Sequence, residues 1–204
     1  MAPIDRRDQT GRIPSRGRCF LYVLPCAFED QLKLGFSRNP LDRMQSLHRR
    51  YFEVFDLDRA FLVETETVRD ARALELSLRR QLVAHNAPAP LTVRREAGGH
   101  TEWYRGAYQQ LAEAAVALSQ GGYVVHDPLR SWLRDALVAR SDLLYSWTEA
   151  MLSHGELESV ADEMTTLNQR VARDALDAYA ALGIDLEPLL PGAVLRWHWV
   201  VSRQ

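Results

Sequence analysis

Lys33-Leu34-Gly35-Phe36-Ser37-Arg38-Asn39-Pro40-Leu41-Asp42-Arg43 joins the end of an apolar strand to the start of a helix. Pro40 after Asn39 is preset for a first helical position, where its missing N–H costs nothing. The Leu41, Met44, Leu47, Tyr51 spacing that follows is helical. Arg43 therefore falls in the first turn of a helix beside a glycine-containing strand end. A guanidinium and free backbone amides at such a place suit a phosphate. The alternative is a plain helix start with a solvent-facing arginine.

Working outward, Cys19-Phe20-Leu21-Tyr22-Val23-Leu24-Pro25 is a wholly apolar run that predicts a buried strand over 19–25. Residues 31–36 predict its hairpin partner, with Phe28-Glu29-Asp30 at the turn. That places Tyr22 and Lys33 on adjacent antiparallel strands. A helix is expected from Pro40 to about Arg50 and a third strand over 59–64. Thr67 is a fair N-cap, and Ala71, Leu74, Leu78 and Leu82 mark one face of a helix reaching about His85. Residues 91–101 read as a loop carrying Arg94, Arg95 and Gly98-Gly99. Glu102-Trp103-Tyr104 and a helix over about 107–118 follow, ended by Gly121-Gly122.

After Asp127-Pro128 the pattern becomes helical over 130–152 and again over 156–182, with Gly155 and Gly183 as stops. Leu195, Trp197, Trp199 and Val201 alternate and predict a C-terminal strand. These boundaries divide the chain into a mobile basic arm (1–18), a first domain (19–126) and an acidic helical domain with a terminal strand (127–204).

The 204 residues carry 25 basic and 27 acidic side chains, and 24 of the basic ones are arginine. Of these, 18 basic and 15 acidic fall in residues 1–126, against 7 and 12 in residues 127–204. A phosphate backbone is attracted by a basic footprint, so nucleic-acid contact is expected from the first part. Residues 127–204 are expected to meet a protein partner or a second copy. No apolar run approaches the ~18 residues that a membrane span needs. Cys19 and Cys26, without zinc-site spacing, read as reduced thiols of a cytoplasmic protein. The six histidines have no metal-ligand spacing.

The order Phe20-Leu21-Tyr22, Lys33-Leu34-Gly35, Asn39-Pro40, Arg43 and Glu75 resembles the GIY-YIG nuclease superfamily. It is closest to a phage-derived branch often described as a DNA-binding domain. The resemblance covers roughly residues 19–108. It implies an α+β fold, with a small, mainly antiparallel three-stranded sheet flanked by helices, here followed by a mostly helical C-terminal part. It also implies Mg²⁺-dependent hydrolysis of DNA phosphodiesters. By that resemblance Tyr22 orients or deprotonates the attacking water and Lys33, where the wider superfamily has Tyr, lies across the same cleft. Arg43 holds the scissile phosphate, and Glu75 is the protein ligand of one Mg²⁺. Arg38, Arg43, Arg94 and Arg95 are the expected DNA contacts.

The chain departs from the pattern in three places, one being that the Asn many superfamily members carry near the site has no counterpart here, Asn86 reading as a loop residue. Phe20 replaces the first motif's glycine, and Arg79 stands four residues after Glu75, where the branch often has His. Glu75 could then be a helix-surface partner of Arg72 and Arg79. Trp103 and Tyr104 could stack on bases or serve as core aromatics. The competing functions are a non-catalytic DNA-binding module of the same fold and a protein-interaction scaffold.

Overall fold

The structure is a computed structural model; it describes residues 16–93, 99, 101–153, 157 and 166–202, with Arg16 as backbone only. Strand β1 (Arg16–Pro25) pairs antiparallel with β2 (Leu32–Ser37) and with β3 (Phe61–Thr67). These are the three strands expected from sequence, but the sheet has six. Three two-residue strands extend it: β4 (Asn86–Ala87), β5 (Trp103–Tyr104) and β6 (Val125–His126). The order is β4-β5-β2-β1-β3-β6, antiparallel throughout. A two-residue strand has no period to read, so its pairing is visible only in three dimensions. Strand β1 also begins at Arg16, inside the stretch expected to be a mobile arm. The rest of that stretch, residues 1–15, lies outside the described residues.

Successive residues of β1 serve two cores, as a strand's period of two requires. Tyr22 and Leu24 face one cluster with Leu62, while Leu21 and Val23 face the other with Leu34, Phe61 and Val63. The second cluster is covered by α3 (Val68–Gln81) and α4 (Tyr108–Gln120), through Leu78 and Leu111. The first is covered by α1 (Pro40–Leu47) and α2 (Tyr51–Val54) and by the helices after Asp127. These are α5 (Leu129–Val138), α6 (Leu144–Met151), α7 (Leu167–Ala181) and α8 (Gly192–Val201). Leu133, Leu176 and Trp197 share one continuous apolar cluster with Tyr22 and Met44.

The C-terminal strand expected over Leu195–Val201 is instead the helix α8. Val194, Trp197 and His198 are its buried residues, an i, i+3, i+4 set, while Trp199 is 59% exposed. The alternation of large apolar residues coincided with a helical stripe offset by one residue, and the helical stripe is the one the core covers. The expected 130–152 helix breaks at a 3₁₀ turn over Ser141–Leu143. Of the expected 156–182 helix, Leu167–Ala181 is seen, opened by a Thr166–Gln169 capping box. Cys19 and Cys26 are buried free thiols, and burial pushes the Cys26 thiol up to about 11. No described helix is long and apolar enough to cross a membrane.

Candidate functional site

Tyr22 of β1 stands directly opposite Gly35 of β2. Its ring lies over the glycine so closely that a Cβ there would come 2.5 Å from the phenol oxygen. The second motif thus needs glycine for room. Tyr22 Oη in turn accepts a hydrogen bond from Arg43 Nε at 3.3 Å. Arg43 is aimed by its helix start: Asn39 caps α1 by accepting from the Asp42 N–H at 3.3 Å, with Pro40 at the first position. Arg43 Nη1 also donates to Ser46 Oγ at 3.4 Å.

Lys33, two residues before Gly35, is fully buried. A buried ammonium requires partners. It donates to the Gly99 carbonyl at 2.8 Å and to Glu102 Oε2 at 3.2 Å, and lies 5.3 Å from the Trp103 ring centre. Gly99, at φ +69°, is where the backbone closes on this group. A Cβ on Gly99 would lie 2.7 Å from both Lys33 Nζ and Glu102 Oε2, and 3.2 Å from Arg43 Nη2. One backbone residue is therefore in reach of Lys33, Glu102 and Arg43 together.

Glu75 comes from α3, whose N-cap is Thr67, accepting from the Asp70 N–H at 3.2 Å. Its side chain is 5% exposed, and Arg79 Nη1 lies 3.8 Å from it. The same Arg79 atom lies 3.7 Å from Glu102. Burial, then the neighbouring Glu102 carboxylate, push the Glu75 pKa up against the pull of Arg79, Lys33 and Arg72. Burial pushes the Lys33 pKa down, opposed chiefly by Glu102. Burial also raises the Tyr22 pKa, opposed by Arg43. Lys33 and Glu75 are thus shifted against their usual charged forms while Tyr22 is held neutral, as happens where a site is built for chemistry or for a ligand.

Tyr22, Lys33 and Arg43, widely spaced in sequence, are thus gathered around Gly99 and Glu102, and Glu75, on the helix that covers the other face of the sheet, joins them through Arg79 and Glu102. The cluster also contains two residues that had no assigned role: Glu102, which pairs with Lys33, and Gly99, which accepts from it. Glu102 was visible only as the first residue of an aromatic triplet; its role depends on β5 pairing Trp103 opposite Lys33. Arg38 is exposed and makes no contact with the cluster among the described residues. Arg94 and Arg95 lie outside the described residues. Trp103 and Tyr104 are buried core aromatics, not a stacking platform.

The cluster holds three cationic side chains (Lys33, Arg43, Arg79) and two carboxylates (Glu75, Glu102). The surplus of positive charge suits a phosphate. Among the described residues no group of three or more His, Cys, Asp or Glu side chains is placed to hold a metal. The donor chemistry nevertheless fits one hard cation. Mg²⁺ is held by one or two carboxylates, the remainder being water and phosphate oxygen. Glu75 and Glu102 are two such oxygen donors, linked through one arginine at long range. Ion binding would favour the ionised form that burial opposes at Glu75.

No curated protein and no solved structure matches the chain. Residues 20–119, which include Tyr22, Lys33, Gly35, Arg43, Glu75, Gly99 and Glu102, match the T5orf172 domain, a domain associated with phage-type endonucleases and DNA binding.

Proposed function

We propose that this protein is a GIY-YIG-type endonuclease that hydrolyses DNA phosphodiester bonds with Mg²⁺. The observation that carries the reading is the grouping of Tyr22, Lys33 and Arg43 with Glu102, to which Arg79 links Glu75, around a surplus of positive charge. Arg43 binds the scissile phosphate through its outer guanidinium nitrogens while its Nε holds the Tyr22 hydroxyl. That hydroxyl, kept protonated by burial, orients the attacking water on the phosphorus. Lys33, whose pKa burial lowers, is the group placed to pass a proton. Glu102 and the Gly99 carbonyl fix its amine. Glu75, with Glu102 beside it, would hold Mg²⁺, which supplies charge neutralisation at the phosphoryl oxygens and a more acidic water.

A second reading, a DNA-binding module without turnover, is favoured by Arg79. It stands between Glu75 and Glu102 and can neutralise both carboxylates in place of an ion. The two readings separate on purified protein offered single-stranded, duplex and branched DNA with Mg²⁺ or with EDTA. The nuclease reading expects Mg²⁺-dependent cleavage of at least one substrate and its loss in Arg43→Ala, which also binds DNA more weakly. Binding without cleavage of any substrate would leave the module. Absence of binding as well would reject both.

A further inference from the structure

The geometry points to a second nucleic-acid contact, a groove between α1 and α7 that receives a single strand leaving the Arg43 site. This inference rests on the proposal that the protein binds nucleic acid. The groove begins at Ser46, which Arg43 Nη1 reaches at 3.4 Å. Two adjoining hollows, of about 420 and 280 Å³, share Arg49 and Asp174 in their walls. The larger is lined by Ser46, Arg49 and Trp147 and by the α7 flank at Ala175. The smaller adds His48, Thr92 and Arg170. Arg43 and Ser46 are one turn apart on α1, and Arg49, just past the helix end, lines the same hollow as Ser46.

The charge balance favours an anionic occupant. Arg50, in the groove wall, is taken up by Asp174 at 3.0 Å together with Glu53 and Asp177, which leaves Arg49 and Arg170 as the wall's other arginines. Arg49 and Arg170 are exposed and form no ion pair among the described residues. With Arg43 they put three guanidiniums along one path, which suits successive phosphates of one strand. Trp147, half-buried, supplies an aromatic side chain to the wall that Ser46 and Arg49 also line. A basic track with an interleaved aromatic is how proteins hold single strands without reading sequence. The groove thereby draws α7, from the acidic half of the chain, into the nucleic-acid surface.

The test is titration of fluorescein-labelled oligothymidylate, by anisotropy in EDTA and across a salt series. It uses the full-length protein, Arg49→Gln/Arg170→Gln and Trp147→Leu. Leucine keeps apolar volume but removes the ring face, and both arginines are exposed, so circular dichroism should report the native fold in each variant. The double variant should bind roughly tenfold or more weakly, with the log–log salt slope reduced by about 1.4, two phosphate contacts at ~0.7 each. Trp147→Leu should lose on the order of tenfold in affinity with the slope unchanged. A folded double variant with unaltered affinity and slope would overturn the groove, as would unaltered affinity in Trp147→Leu. Both results leave the Arg43 site standing if Arg43→Ala still weakens binding. A wild type that binds no oligonucleotide at any salt would remove both.

Discussion

Two ionic clusters in this molecule use the same residue types to opposite ends. At the junction of α2, α7 and α8, Arg50 meets Glu53 at 2.6 Å, Asp174 at 3.0 Å and Asp177 at 2.7 Å. Asp177 also lies 2.8 Å from His198 Nε2 and accepts from Ser202 at 2.9 Å. Burial alone would raise the Asp177 pKa, but the hydrogen bonds from His198, Arg50 and Ser202 outweigh it and hold the carboxyl far below its ordinary range. At the candidate site the contacts of Glu75 and Glu102 with Arg79 are 3.8 and 3.7 Å, and the Glu75 carboxyl is pushed up. One carboxylate is saturated by its neighbours and joins helices. The other is buried with loose partners, an arrangement that becomes favourable when something else arrives.

That contrast can be broken by substitution, and the largest effect should be catalytic. Glu75→Gln keeps the shape and removes the charge, so Mg²⁺-dependent cleavage should fall by several orders of magnitude, because metal catalysis contributes several kcal/mol. Metal-free DNA binding should hold or improve. Undiminished cleavage by purified Glu75→Gln would cancel the assignment.

Asp177→Asn tests the other cluster. It leaves Arg50 and His198 with a weaker acceptor and should cost about 2–3 kcal/mol in urea unfolding. Cleavage per folded molecule should not change. A variant as stable as the wild type would mean that the Arg50 network is incidental.

Gly35→Ala examines the fit beneath Tyr22. The added Cβ would press on the phenol ring, which must move or strain the hairpin, at about 1–3 kcal/mol. Because Tyr22 is bonded to Arg43, DNA affinity should drop along with stability. A normally stable variant with normal affinity would show that the ring relocates freely.

The smallest effects are in the pH dependence of stability, and they have opposite signs. The folded pKa of Asp177 is depressed, so its contribution is complete above the ordinary carboxylate range and is lost as the pH falls through its folded value. Glu75 has a raised folded pKa, so protonation favours the fold: its contribution is full below the ordinary carboxylate range and is lost as pH rises through the folded value. In EDTA at neutral pH, melting should therefore show Glu75→Gln equal to or above wild type and Asp177→Asn below it. A lower melting temperature for Glu75→Gln would mean that its Arg79 contact outweighs burial.

What was legible in the sequence was local. The 19–37 hairpin, the Asn39-Pro40 helix start and the Thr67 cap depend on neighbouring residues, whose turn and cap chemistry can be read directly. The order of motifs, through its resemblance to the GIY-YIG superfamily, also singled out Tyr22, Lys33, Arg43 and Glu75. The misread Leu195–Val201 marks the limit of periodicity. Seven residues rich in tryptophan and valine satisfy a strand's alternation and a helix's stripe alike, and burial of Val194 and Trp197 against the core selects the helix.

The tertiary structure alone decided which charges face each other. Lys33 and Glu102 are 69 residues apart, and Arg50 and Asp177 127 apart. No local rule pairs them, because their approach is fixed by strand β5 joining β2 and by α7 packing on the sheet's first core. Whether a buried carboxylate is saturated or waiting depends on that long-range geometry, since Coulomb energy and desolvation vary with distance and burial, not with sequence spacing.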